Sequence, residues 1–212
     1  MTTNFTIKIF LWLLFQNVNL QIFAQDKLSV MTYNIRCDNP NDDLNQWNNR
    51  KEILTNQIQF YAPDILGIQE GLLHQIEYIK KTLKFYEYLG VGRDDGGQEG
   101  EYCALFYNKK QLKPTQVGTF WLSKTPEIPS KNWDAALPRI CTYAEFSSKK
   151  NKFWVFNTHY DHLGKMARSA SSELILTKIA NINKQDHPVI LMGDFNALEK
   201  EIPIQLITKK YL

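Results

Sequence analysis

Cysteine is scarce in this chain: three residues, at positions 37, 103 and 141, in no C-x-x-C pair. An odd and scattered set permits one disulfide at most, so neither a disulfide framework nor a cysteine-built metal knuckle organises the fold. The three read instead as small buried hydrophobes. There is no repeat of solenoid length, no low-complexity tract and no glycine/serine linker, which excludes stacked arrays and tethered strings of domains. An excess of one charge is missing too. The formal net charge of +3 permits contact with phosphates but is far from the footprint of a dedicated nucleic-acid binder.

A membrane-length apolar run is also lacking. After Lys8 comes I-F-L-W-L-L-F, then polar Gln16 to Asn19, then L-Q-I-F-A-Q. A short apolar core behind a lysine, ending near the small residue Ala24, predicts a signal peptide over 1–24. The expected mature chain starts near Gln25, is secreted or periplasmic, and has no transmembrane segment.

What is present is a globular composition, 43% hydrophobic and 22% charged over 212 residues, enough for one core in a single domain over 25–212. Short apolar runs rich in β-branched and aromatic residues predict strands at 28–33, 64–69, 102–107, 140–146, 153–158 and 189–192. Helical spacing joins Leu54, Ile58 and Tyr61, then Leu72, Ile76, Ile79 and Leu83, then Ile175, Ile179 and Ile182. Helices interspersed with buried strands, some joined by short turns, argue an α/β layer architecture with mixed sheets. The glycine-rich stretch 90–100 lacks a Lys-Ser/Thr ending and leads into no helix, so it reads as a surface loop and not a phosphate cradle.

Four apolar strands end in residues able to hold a metal or phosphate: Asn34, then Gln69-Glu70, then His159 with Asp161, then Asp194 with Asn196. If these strands share direction, their carboxyl ends meet at one sheet edge, where open α/β proteins place their sites. Oxygen ligands with one or two imidazoles suit a hard divalent cation better than Zn2+. Mg2+ held by few carboxylates is completed by water and by a substrate phosphate.

The motifs T-Y-N-I-R, I-Q-E, G-E-Y-C-A-L-F-Y, L-P-R-I-C-T-Y, N-T-H-Y-D-H and M-G-D-F-N resemble, in order, those of the endonuclease/exonuclease/phosphatase superfamily. The resemblance implies a deoxyribonuclease I-like α/β (α+β) fold, a two-layered mixed β-sheet sandwich flanked by helices. It implies a phosphoesterase using Mg2+, with Mn2+ able to substitute, on nucleic acid, an inositol phosphate or a phospholipid headgroup. By the same resemblance Glu70 is the metal ligand, with Asn34 beside metal and phosphate, and Asp194 orients or deprotonates the attacking water. Asn196 donates to the scissile phosphate, His159 is one of two imidazoles there, and Glu101 orients His159. Arg139 contacts phosphate; Tyr102 is a further phosphate contact and Asp161 a further metal ligand.

The family pattern closes with an Asp-His pair, and no histidine follows Asn196 here. The expectation is therefore a domain lacking its last strands, active as a monomer when complete and otherwise a phosphate-ester-binding fragment without turnover. Two other readings are open. T-H-Y-D-H resembles half of the H-x-H-x-D-H site of metallo-β-lactamase-type zinc hydrolases, with Asn157 in the place of the first histidine. Five tryptophans also allow a noncatalytic carbohydrate- or lipid-binding module, with Trp47 and Trp133 as the ligand contacts.

Overall fold

The computed structural model describes residues 27–149 and 151–211, so the expected leader at 1–24 lies outside the described residues. Two four-stranded sheets form. The first runs in the spatial order β1 (Val30–Asn34), β2 (Ile65–Gln69), β4 (Leu105–Asn108), β3 (Tyr86–Leu89). The second runs β5 (Lys113–Trp121), β6 (Ile140–Ser148), β7 (Asn151–His159), β8 (Val189–Asp194). Only β1–β2 and β7–β8 are parallel pairs among these. A parallel neighbour requires a long crossover, and α1 (Trp47–Tyr61) and α3 (Lys165–Ile182) supply the two. The molecule thus carries two β-helix-β units, one per sheet. The four strand ends expected along one sheet edge come instead from two sheets.

Period-two alternation assigns each strand face to a layer. From β2, Ile65 enters the cluster between the sheets with Leu105, Val155 and Met192. Its neighbours Leu66 and Ile68 face the other way, against Leu54 and Ile58 of α1 and Ile76 and Ile79 of α2 (Leu73–Thr82). On β7, Phe153 and Val155 point inward while Trp154 and Phe156 pack on Ile175 and Ile179 of α3. Neither α1 nor α3 has an N-cap side-chain hydrogen bond. Apolar burial, roughly 1.5–3 kcal/mol for each fully buried Ile or Leu, is what anchors them to the sheets.

Three elements escape the apolar pattern. β5 begins Lys-Pro-Thr-Gln and lies at a sheet edge, with an irregularity between Pro114 and Gln116; an edge strand tolerates proline and polar residues. β3, also at an edge, and α4 (Ile202–Tyr211) complete the set. The expected strand at 102–107 is shorter, because Tyr102 makes only isolated bridges to Gly71 and Gly92. Tyr61, expected on the buried stripe of α1, is 61% exposed, since the helix ends there in a left-handed Ala62.

Candidate active site

Asn34, at the end of β1, brings the two β-helix-β units together. Its Nδ2 donates to Glu70 Oε1 at 2.7 Å and to Asp194 Oδ2 at 2.9 Å, while its Oδ1 accepts the N–H of Arg36 at 3.0 Å. Glu70 follows β2 with φ of 64°, a left-handed turn that ends the strand, and its Oε2 accepts the Cys37 N–H at 3.1 Å. Asp194 ends β8 behind Gly193, where φ is 143° and an added Cβ would lie 2.0 Å from the Thr158 carbonyl oxygen. Only glycine permits that approach.

Asp194 Oδ1 accepts the Asn196 N–H at 3.0 Å. Burial pushes the Asp194 carboxyl up, yet the Asn34 amide, the Asn196 N–H, His159 and Arg139 outweigh it and hold the group below its ordinary range. Asn196, itself left-handed at φ 45°, donates one Nδ2 hydrogen to the Tyr160 carbonyl at 2.9 Å. The amide's second hydrogen is available to a substrate oxygen.

His159 is 5% exposed, with Nε2 3.8 Å from Asp194 Oδ2. Its Nδ1 faces Arg139 Nη1 at 3.1 Å. A guanidinium only donates, so Nδ1 accepts and the proton sits on Nε2, toward Asp194. Burial first, and the Arg139 charge second, lower the His159 pKa to about 4 against the opposing pull of Asp194 and Glu70. The imidazole is therefore neutral at physiological pH.

Four expected roles change. Glu101 does not orient His159: its Oε2 accepts from Arg93 Nη1 at 2.6 Å and lies 3.9 Å from Arg139 Nη1, so it holds arginines. Arg139, 5% exposed, donates through Nη1 and Nη2 to Nδ1 of His159 and of His162, each at 3.1 Å, so from a buried position it orients two imidazoles. Tyr102 is buried and its hydroxyl donates to the Gly97 carbonyl at 3.0 Å. Asp161 accepts the N–H groups of Ala136 and Leu137 on one oxygen and of Leu163 and Gly164 on the other. Burial pushes Asp161 up, but those four N–H groups prevail and hold it at about 2. It is a loop anchor with no oxygen left for a cation.

Two residues were missed. Arg93 sits in the glycine-rich stretch, which is a surface loop as expected, held by Asp95 accepting the N–H groups of Gly97, Gln98 and Glu99. His162 stood inside N-T-H-Y-D-H without a role; its spacing of three from His159 was the available signal. Trp47, a candidate ligand contact, is buried edge-on against Tyr78. Trp133 is half-buried and left-handed at φ 54°.

Among the described residues no group of three or more His, Cys, Asp or Glu side chains is arranged to hold a metal. The oxygens that do converge, those of the Glu70 and Asp194 carboxylates on either side of the Asn34 Nδ2, are of the kind that fits a hard cation with water and substrate completing its shell, while the Asn34 oxygen faces the Arg36 N–H. The zinc arrangement fails at Asn157, which is fully buried between the sheets, donating to the Ile68 and Ala104 carbonyls at 2.9 Å.

Comparison with known proteins agrees with this fold. Residues 31–211 match the model of the Endonuclease/Exonuclease/phosphatase family. The chain belongs to that family. A solved mannosyl-6-phosphatase from Bacteroides thetaiotaomicron is 39% identical with a TM-score of 0.84, over 87% of this chain and 71% of that one. A second family member from the same organism is 40% identical with a TM-score of 0.84, over 86% and 68% of the two chains. An uncharacterised protein of Acanthamoeba polyphaga mimivirus is 33% identical over 167 residues, 73% of this chain and 61% of the relative. The chain thus spans about six tenths of that curated relative's length.

Proposed function

We propose that this chain is a Mg2+-dependent phosphoesterase whose substrate is a phosphate monoester on a sugar, acting after export by its N-terminal segment. The observation that carries the reading is the Asn34 amide tying Glu70 to Asp194, which gathers a cation ligand and a base around one point. The similarity to a mannosyl-6-phosphatase supports a small sugar ester as the substrate over a polymer.

Each residue has a task in in-line attack by water. Asp194, kept ionised by its donors, orients the water and takes its proton. The second Nδ2 hydrogen of Asn196 and the Nε2–H of His159 donate to nonbridging oxygens as charge develops. Glu70, oriented by the Asn34 amide, would hold Mg2+, or Mn2+ in its place, which would supply neutralisation of phosphate charge. A single displacement inverts the configuration at phosphorus.

The test is phosphate release from mannose 6-phosphate by the wild type and by Asp194→Asn, with Mg2+ and with EDTA. Loss of about a hundredfold or more in kcat for Asp194→Asn, with an unchanged melting temperature, is the expected result. Near-full activity in that variant removes Asp194 as the base. Release from an oligonucleotide but not from the sugar phosphate overturns the substrate class.

A further inference from the structure

We propose that His162 is a second substrate-contacting imidazole of this cleft, donating through Nε2–H to a nonbridging phosphate oxygen on the solvent side of His159; this rests on the phosphoesterase reading above. The carrying observation is the shared guanidinium. Arg139 Nη1 lies 3.1 Å from His159 Nδ1, and Nη2 lies 3.1 Å from His162 Nδ1.

A guanidinium offers hydrogens and no lone pair, so both imidazoles must present lone pairs to it. Both then carry their proton on Nε2, pointing away from Arg139. His159 is buried, with its Nε2 3.8 Å from Asp194 Oδ2. His162 is exposed, so its hydrogen is available to a ligand at the mouth.

The supports around this pair are rigid. Asp161, between Tyr160 and His162, is fixed by four backbone N–H groups, and Arg168 Nη1 donates to its carbonyl at 3.1 Å. Arg139 is wedged beside Glu101 and Asp161, with its buried Nε 3.7 Å from Asp161 Oδ2 and without a hydrogen bond. A guanidinium so confined holds two rings in one tautomer and one orientation, which is what preorganised donors to a phosphate require.

The bland alternative is that His162 only satisfies Arg139. Two substitutions separate the readings, because an Asn amide overlays the Nδ1 end of histidine while a Gln amide reaches the Nε2 end. We would titrate the wild type, His162→Asn and His162→Gln with inorganic phosphate in the presence of Mg2+, by calorimetry. The expected result is affinity about tenfold weaker for His162→Asn, a change of about 1.4 kcal/mol, with His162→Gln within about threefold of wild type. If His162→Asn binds like wild type and His162→Gln does not, or if both bind like wild type, the inference is overturned while the phosphoesterase reading stands. A wild type that neither binds phosphate nor hydrolyses sugar phosphates brings down both.

Discussion

Gln69 donates from Nε2 to Asn157 Oδ1 at 2.6 Å across the interior between the two sheets. Glu70 follows the first residue directly, and His159 lies two positions after the second, so this buried bond sets how the two halves of the site face one another. Gly67 keeps the space open, since a Cβ there would meet Asn157 Oδ1 at 2.8 Å.

Replacing Asn157 with Leu takes an acceptor from Gln69 and a donor from the Ile68 and Ala104 carbonyls, although Gln69 keeps Thr32 Oγ1 and the Gly67 carbonyl, and Ala104 keeps the Ile68 N–H. We expect a loss of about 2–5 kcal/mol in urea unfolding. A double-mutant cycle with Gln69→Leu should recover part of that loss, because the second change removes the amide that lost an acceptor.

Glu70→Gln should abolish stabilisation by Mg2+. Wild-type protein should melt at a higher temperature in millimolar Mg2+ than in EDTA, by linkage of binding to folding. The variant should show equal melting temperatures in both. An undiminished Mg2+ shift in the variant would place the cation elsewhere.

Arg139→Gln should raise the His159 pKa from about 4, since it removes the second cause of the depression and leaves Asp194 and Glu70 pulling upward. NMR titration of the imidazole in EDTA reads this directly. The sign for stability follows from the wild-type value: between pH 6.5 and about 4 the unfolded chain binds a proton that the native ring does not. The His159 contribution to wild-type stability therefore falls as pH drops through that window and levels off below it.

Asp161→Asn should destabilise the loop between β7 and α3. The amide must turn its own hydrogens toward backbone donors, so we expect a cost of about 2–4 kcal/mol at neutral pH. The wild-type contribution is present above the ordinary aspartate pKa and is lost as pH falls toward about 2. The difference between wild type and variant in urea should narrow over that range.

Much of the fold could be read from residue pattern alone. β2, β6 and β7 are apolar runs buried on one or both faces, β1 and β8 are apolar runs that lie half-buried beside them, and Leu54, Ile58, Ile76, Ile79, Ile175 and Ile179 keep their helical period because a sheet lies under each. β5 was invisible because an edge strand needs no such run. In the site, Asn34, Glu70, His159, Asp194 and Asn196 were legible as polar residues closing apolar strands. Glu101 and Asp161 were misassigned for one physical reason. A carboxylate's role depends on which guanidinium or amide reaches it, and the folded loops decide that: Arg93 lies across one loop from Glu101, and Ala136 and Leu137 reach Asp161 from a different loop.

The backbone at Glu70 and Asn196 is left-handed, a conformation that costs a non-glycine residue about 1–2 kcal/mol. A library of this protein screened for heat resistance alone should accumulate glycine at those two positions. The survivors would be tougher molecules with nothing left to do, and the order in which the two positions fall would rank how heavily each taxes the scaffold.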